Sequence, residues 1–520
     1  MDSFCLSRVR IFACIFFLLL VIAAAAGLEP TSSLADGLTI KIRQRHPVVN
    51  EGNQIQLTVM DANGQSLDDV RWGSGSPDIA RIDPQTGVVS GVRQGFATIT
   101  AFHGNQSTSV FVVVARVKKG KAAAIPGDTK IDQGGQLYIS NPLKNIILKA
   151  SSALVSEPQV FAGQQGVPGF RNGNPLQSLF AGPTALAIDN QVSGGIFIAD
   201  TLNHSLRRIS FTNQVETVLG TGSPGITSFE SNRMAAFEAV QLHSPRGVAS
   251  ESNGNVFVAD TENHALYFVN LATRTVQLLA GTPGEPGKGD GPGQTARFSR
   301  PAGLALSRDG RVLAVADQDN NCVRLLELIK GSNAQMLCQV STVSATGPQP
   351  RATSNPEPDE FEFNHPQSVS FDSSGNIIVV DESSVYVIAR PLDPTRFVIQ
   401  LAQLESYSKA VSATVRGTET FVLDAEAVNP SEAITVVTVG APEITGLSQE
   451  SVRIEGGAEI ILTGRNFAPE TLVFIGDTQV ENFQVESATQ IRLIVPRQSS
   501  HGDRTLTVQT RGGVAQAKLT

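Results

Sequence analysis

Apolar and polar residues alternate with a period of two in short runs along most of this chain, and glycine, proline, asparagine or aspartate separates each run from the next. Such alternation places side chains on opposite faces of an extended strand, so the pattern predicts an all-β protein of many short strands and tight turns. One phrase recurs four times: a glycine-led turn, a β-rich run and an Ala/Val-Asp step. It reads Gly195-Ile-Phe-Ile-Ala-Asp200, Gly254-Asn-Val-Phe-Val-Ala-Asp260, Gly310-Arg-Val-Leu-Ala-Val-Ala-Asp317 and Gly375-Asn-Ile-Ile-Val-Val-Asp381. Looser copies flank these at Gly135-Gln-Leu-Tyr-Ile-Ser140 and Thr420-Phe-Val-Leu-Asp424, which makes six. The steps from Asp200 through Asp260, Asp317 and Asp381 to Asp424 are 60, 57, 64 and 43 residues. A strand-built period in that range predicts a radial or stacked array.

Each unit opens with a proline-led strand: Gly182-Pro-Thr-Ala-Leu-Ala-Ile188, Ser244-Pro-Arg-Gly-Val-Ala249, Arg300-Pro-Ala-Gly-Leu-Ala-Leu306 and His365-Pro-Gln-Ser-Val-Ser-Phe371. The Gly-to-Asp strand follows, then a third strand such as Asn203-His-Ser-Leu-Arg-Arg-Ile209, then an outer one ending in Gly, as in Val215-Glu-Thr-Val-Leu-Gly220. Four antiparallel strands repeated about six times describe a six-bladed β-propeller over residues 125–440. Asn203-His204-Ser205-Leu206 and Asn263-His264-Ala265-Leu266 resemble the NHL repeat with one residue inserted. The last unit lacks an outer strand of its own. An open blade edge would leave backbone groups unpaired, so ring closure by a strand borrowed from the other end of the propeller is expected.

Residues 37–117 carry seven alternating runs in about 80 residues, the spacing of a β-sandwich. Trp72, Ser76-Pro-Asp78, Asp83-Pro-Gln-Thr-Gly-Val-Val-Ser-Gly91 and Gly95-Phe-Ala-Thr-Ile-Thr-Ala101 make this segment similar to the group 2 bacterial immunoglobulin-like domain. The resemblance implies extracellular display as a spacer or carbohydrate-facing module. Lys118 to Pro126 reads as a small basic hinge. From residue 441 to 520, Gly464-Arg-Asn-Phe467, Thr471-Leu-Val-Phe-Ile-Gly476 and Gly512-Gly513 resemble an IPT/TIG immunoglobulin-like domain. The predicted architecture is therefore an all-β propeller flanked by two immunoglobulin-like sandwiches.

Composition agrees: 520 residues exceed one core, and 47 Gly and 27 Pro suit many turns. A net charge of −8 with dispersed Lys and Arg offers no footprint for a phosphate backbone, so nucleic acid is not an expected partner. Arg8 and Arg10 followed by the apolar run Ile11 to Ala26 read as a signal peptide over residues 1–26, which predicts a secreted, periplasmic or cell-surface protein with no membrane insertion after cleavage. An uncleaved anchor is the alternative. Outside that segment only Cys322 and Cys338 remain, on two runs expected to pair as a hairpin about Lys330-Gly331-Ser332-Asn333. Counted outward from that turn, their side chains fall on opposite faces unless a bulge intervenes, which leaves both a disulfide and free thiols open.

The motif most suggestive of chemistry is Asp-Thr-x-Asn-His at Asp200 to His204 and Asp260 to His264. An Asp beside a His can act in catalysis or hold a metal. This one recurs blade after blade, together with Asp317 and Asp381, at a turn where Asp naturally accepts from nearby backbone N–H groups, and so reads as structural. Residues just past the blade prolines, Thr184, Arg246, Ala302 and Gln367, offer no acid or imidazole for a metal on the ring axis. Gly220-Thr-Gly-Ser-Pro-Gly225 has dinucleotide-loop spacing but follows a propeller strand without the βαβ context that gives it meaning. No cofactor and no metal are predicted. The expected function is a non-enzymatic scaffold binding a protein or a glycan at the cell surface through Thr184, Arg246, Arg300, His365 and Gln367, its oligomeric state left open. The alternative is an extracytoplasmic hydrolase or lyase with a site in the channel, because the NHL resemblance extends to lactonases and lyases.

Overall fold

The computed structural model describes residues 40–520 except 45–46, 121–126, 133, 152–157, 190–194, 230, 332–334, 344–362, 373–374, 382–383, 390–396, 404–409, 417–418, 425–433, 454, 470, 477, 498–501, 511 and 520. The segment read as a signal, 1–26, lies outside these residues.

The chain is all-β. Among the described residues, five successive antiparallel sheets have inner strands Thr129–Ile131, Pro183–Ile188, Gly247–Ser250, Pro301–Leu306 and Pro366–Phe371; each continues outward through three further strands, and the third and fourth add a short fifth, Met234–Ala236 and Gly291–Pro292. A sixth unit contributes Ala410–Arg416, Glu419–Asp424 and Ile434–Thr438. The six inner strands contact one another in order, and Ala410–Arg416 returns to Thr129–Ile131, so the ring is closed. Its apolar content lies between neighbouring blades. Middle strands such as Ile196–Asp200 and Val312–Asp317 are buried on both faces, which explains why they read as nearly continuous apolar runs. Phe197, Phe257 and Leu313 sit at 0 % exposure in these interfaces, each contributing on the order of 1.5–3 kcal/mol through burial.

The sixth sheet takes its fourth strand from the chain before the ring. Strand Gln106–Gly120 pairs along its first part with Gly95–His103 in the N-terminal sandwich, and at its far end with the last blade, from Arg116 opposite Thr438 to Gly120 opposite Ile434. One uninterrupted strand thus belongs to both units. Lys118 to Gly120, read above as the start of a hinge, are strand, and residues 121–126 lie outside the described set.

In the N-terminal sandwich Trp72 is buried among Leu57, Ile79, Val89 and Ile99, filling the core as its position predicts. Asp83 Oδ1 accepts from the Gln85 and Thr86 amides at 3.0 and 2.7 Å, closing the turn that leads to Gly87. Gly87 has φ +73°, and a Cβ there would stand 2.9 Å from the Trp72 ring, so conformation and space both demand glycine. The C-terminal sandwich pairs two four-stranded sheets over Ile460, Phe467, Leu493 and Val508.

The two sandwiches pack against each other through Phe96, Phe111 and Val113 on one side and Val439, Ala468 and Ala488 on the other. Asn466 Oδ1 accepts from the Phe96 amide at 3.4 Å while its Nδ2 donates to Ala441 O at 2.7 Å. The Ala488 amide donates to Thr98 Oγ1 at 3.1 Å, and Arg465 reaches Asp78 at 3.6 Å.

The hairpin carrying both cysteines forms as Cys322–Lys330 with Met336–Thr342, but no disulfide joins them. Register decides this. Cys338 lies opposite Leu328, six positions from Cys322, or about 20 Å along the strand at ~3.4 Å per residue. Six is even, so the two thiols share a face, contrary to the count outward from the turn, and distance alone keeps them apart. Burial pushes both thiols up to about 12.

Candidate functional site

The recurrent motif turns out to be the joint of each blade. The residue before each blade proline is left-handed: Gly182, Ser244, Arg300 and His365 have φ of +59°, +51°, +52° and +50°. This irregular lead-in leaves backbone amides that no ladder can satisfy, and the motif supplies their acceptors. Asp200 Oδ1 accepts from the Ala181 amide at 2.8 Å, Asp260 Oδ1 from His243 at 2.6 Å and Asp317 Oδ1 from Ser299 at 2.8 Å. Asp381 takes the Asn364 amide in the same way. The other carboxylate oxygen accepts from Asn203, Asn263 or Asn320 Nδ2 at 2.7–2.8 Å.

The histidines join one blade to the next. His204 and His264, left-handed at φ +48° and +55°, accept through Nδ1 from the Ser244 and Arg300 amides at 3.0 Å. Asn145 and Asn321 do the same with side-chain oxygens for Gly182 and His365. Thr201 and Thr261 donate to the carbonyls of Pro245 and Pro301 in the following blade at 2.7 and 2.8 Å. Asp200, His204, Asp260, His264, Asp317 and Asp381 are thus placed as turn and inter-blade fastenings.

Burial gives these aspartates unusual electrostatics. Asp200 is pushed up to about 6 by burial, against hydrogen bonds from Asn203 and Ala181 and the nearby Arg207. Arg207 Nη1 donates to it at 2.8 Å, both side chains at 0 % exposure. Asp317 is raised for the same reason and pairs with fully buried Arg324 at 2.8 Å. In the blade between them the equivalent residue is Tyr267, opposite Val258 as Arg207 is opposite Ile198 and Arg324 opposite Val315. With no cation beside it among the described residues, burial pushes Asp260 up to about 7.

At the ring axis the inner strands enclose a cavity of about 220 Å³ lined by Asp128, Lys130, Leu143, Thr184, Arg246, Ala302, Gln367, Ser368 and Ser412. Asp128 is its one acid among the described residues and is fully engaged. Its Oδ1 accepts from the Thr129 amide at 2.7 Å, Ser412 Oγ at 2.5 Å and Lys130 Nζ at 2.8 Å, and its Oδ2 accepts from the Leu186 amide at 2.8 Å. Those donors belong to the first, second and sixth blades, so this carboxylate pins the ring where its ends meet.

Of the residues predicted for binding, Thr184, Arg246 and Gln367 come together in this cavity. Thr184 shares a 2.6 Å hydrogen bond with Thr201. Arg246 donates to Gln318 Oε1 at 3.3 Å; burial lowers its pKa, helped by Arg300 and opposed by Glu262 and Asp319. Arg300 is on the rim, bound to Glu262 at 2.9 Å and near Asp319 at 3.9 Å. His365 is exposed, its backbone held by Asn321. Asp128, Lys130 and Ser412 escape a reading built on proline-led strands, although Pro126-Gly127-Asp128 preserves that lead-in and could have disclosed the acid. Among the described residues no three His, Cys, Asp or Glu side chains are grouped to hold a metal ion.

Residues 38–114 match the bacterial Ig-like domain (group 2), 242–266 the NHL repeat and 442–520 the IPT/TIG domain. The NHL match runs from the lead-in of the third blade through Asp260 and His264, the fastening just described. The chain is 30% identical over 203 residues to Protein SUPPRESSOR OF QUENCHING 1, chloroplastic, of Arabidopsis thaliana, covering 38% of this chain and 18% of that protein. It is 26% identical over 172 residues to NHL repeat-containing protein 2 of Homo sapiens, covering 32% and 24%. The chain thus spans less than a quarter of the length of these curated relatives. A solved gluconolactonase from Xanthomonas campestris superposes with a TM-score of 0.42 at 13% identity, covering 62% of this chain and 90% of that one. Both Ig-like types are typical of extracellular proteins, and among the described residues no helix is long and apolar enough to cross a membrane. The chain therefore carries a group 2 bacterial Ig-like domain, an NHL-type β-propeller and an IPT/TIG domain.

Proposed function

We propose that this protein is an extracytoplasmic, non-enzymatic scaffold that binds a protein or glycan on the propeller face where the blade prolines and Asp turns lie. The observation that carries this reading is the state of the channel acid. Asp128 already accepts from Thr129, Lys130, Leu186 and Ser412, so no lone pair is left directed at a substrate proton or an ion. Arg246, Thr184 and Gln367 instead present hydrogen-bonding groups to the cavity, an arrangement suited to recognition. Display outside the cytoplasm rests on the apolar run Ile11 to Ala26 and on the two Ig-like domains, which would hold the ring away from its attachment. The test is surface binding of the full chain to envelope extract and a glycan array, beside hydrolysis and elimination assays on a panel of lactones. Saturable binding without turnover supports the scaffold. Turnover abolished by Asp128→Asn or Ser412→Ala would replace it with the enzyme reading.

A further inference from the structure

We propose that the channel mouth receives an Asp or Glu side chain from a partner protein, with Arg246 as its counter-charge and Leu143 and Leu202 as apolar contacts beside it. This deepens the scaffold reading and rests on it. Arg246 lines the cavity yet has no carboxylate within 4 Å among the described residues. Its side-chain hydrogen bond goes to neutral Gln318. The acids nearest in charge, Glu262 and Asp319, are oriented toward Arg300 on the rim. The other cation of the cavity, Lys130, is held by Asp128 at 2.8 Å. Arg246 is therefore the guanidinium left to meet an incoming anion, and a planar fork in a partly desolvated site favours a carboxylate bound through two N–H groups.

The surroundings select a protein side chain over a sugar acid. The cavity of about 220 Å³ has room for one extended side chain. Among the described residues none of its lining is aromatic, so a sugar ring finds no face there to stack upon. Leu143 in the turn of the first blade is 66% exposed and lines the same cavity, and Leu202 in the turn of the second is 65% exposed, next to the Thr201 hydroxyl that binds Thr184. An exposed leucine lining the charged pocket, with a second in the equivalent turn of the next blade, matches a partner loop in which an acid is flanked by apolar residues.

The experiment selects a phage-displayed library of random dodecapeptides on the full chain and measures Kd for synthetic copies of the enriched peptides. The expected consensus holds one Asp or Glu between apolar residues. Arg246→Gln should weaken binding by about 30-fold or more, as removing one partner of a desolvated charge pair does, while Arg246→Lys retains part of it. Arg274→Gln, which removes an exposed cation paired with Glu238, should change nothing. Unaltered circular dichroism and thermal midpoint verify that Arg246→Gln folds. Enriched peptides without acids, or ones bound equally by Arg246→Gln, overturn the inference and leave the scaffold standing. Binding of polygalacturonate but no peptide also overturns it, in favour of a glycan. Failure to bind peptide, polygalacturonate and envelope components alike overturns both readings.

Discussion

Replacing Arg324 by Met should destabilise the fourth blade far more at pH 8 than at pH 5. In the native ring its guanidinium donates to Asp317 and Arg297 O at 2.8 Å, to Gly289 O at 2.8 Å and to Asp290 at 2.6 Å, and it lies 4.9 Å from the centre of the Phe298 ring. Methionine fills similar space and leaves Asp317 buried without a cation; breaking a buried pair this way costs about 3–5 kcal/mol. The third blade supplies an internal gauge, because Asp260 already faces Tyr267 and is pushed up to about 7. Without Arg324, which opposes the effect of burial, Asp317 rises further in the folded ring while remaining an ordinary carboxyl in the unfolded chain. A raised carboxyl destabilises the fold as pH climbs from the unfolded value near 3.8 toward the folded one, and no further above it. At about 1.4 kcal/mol for each unit by which losing Arg324 raises Asp317 beyond its already raised native value, that linkage makes the loss larger at pH 8 than at pH 5. Hydrogen exchange of peptides spanning Val312–Asp317, corrected for intrinsic rates, reads the opening energy of this blade alone and avoids assuming two-state unfolding for a multidomain chain. A loss of equal size at both pH values would refute the assignment of Arg324 as the counter-charge of Asp317.

Three further outcomes are expected. Lys119→Pro, in the stretch that completes the sixth blade, should weaken its pairing there and raise hydrogen exchange in Ile434–Thr438; unchanged exchange there would mean the ring closes without this strand. Gly95→Ala places a Cβ 2.2 Å from Asn466 Oδ1 at a φ of +150°, so it should loosen the contact between the sandwiches, seen as greater exchange at Phe467 and Ala488 with little change in the blades. Cys322 and Cys338 should both react with a thiol reagent only after denaturation, and intact mass should not change on reduction; a gain of 2 Da would contradict the register.

Much of the ring was legible because each blade repeats the same local instructions. The Gly turn, the Asp at the end of the second strand and the proline at the head of the first are backbone requirements, and backbone requirements are written in single residues such as Asp200 and Pro183. The fastening role of the Asp-Thr-x-Asn-His turn was readable for the same reason. What His204 and His264 bind was not, since Ser244 and Arg300 lie 40 and 36 residues further on and belong to another blade. The buried cations illustrate the same limit. Arg207 and Arg324 look like solvated strand residues until the loops that cover them, bearing Asn172 and Asp290, are folded into place. Asp128 was overlooked because its blade departs from the repeat, and its partners Leu186 and Ser412 stand 58 and 284 residues away.

That contrast bears on where a ligand site can evolve in such a ring. Every blade must close its own lead-in, so Asp200, Asp260, Asp317 and Asp381 are committed to structure, and the raised affinity of Asp200, Asp260 and Asp317 for protons follows from burial. The residue just past each proline carries no such duty. It lines the axial cavity, and the blades hold Thr184, Arg246, Ala302 and Gln367 there, four residues of unrelated chemistry. Variation at a position that the fold leaves unconstrained is where specificity can be encoded without loss of stability. If this is the division of labour, substitutions at Arg246 and Gln367 should alter binding while leaving the thermal midpoint within about 0.5 kcal/mol of equivalent stability, and substitutions at the aspartates should do the reverse. A double-mutant cycle joining Arg246→Gln to Asp200→Asn measures the separation directly: independent effects on binding and stability support it, and coupling above about 0.5 kcal/mol would show that fastening and recognition are one network.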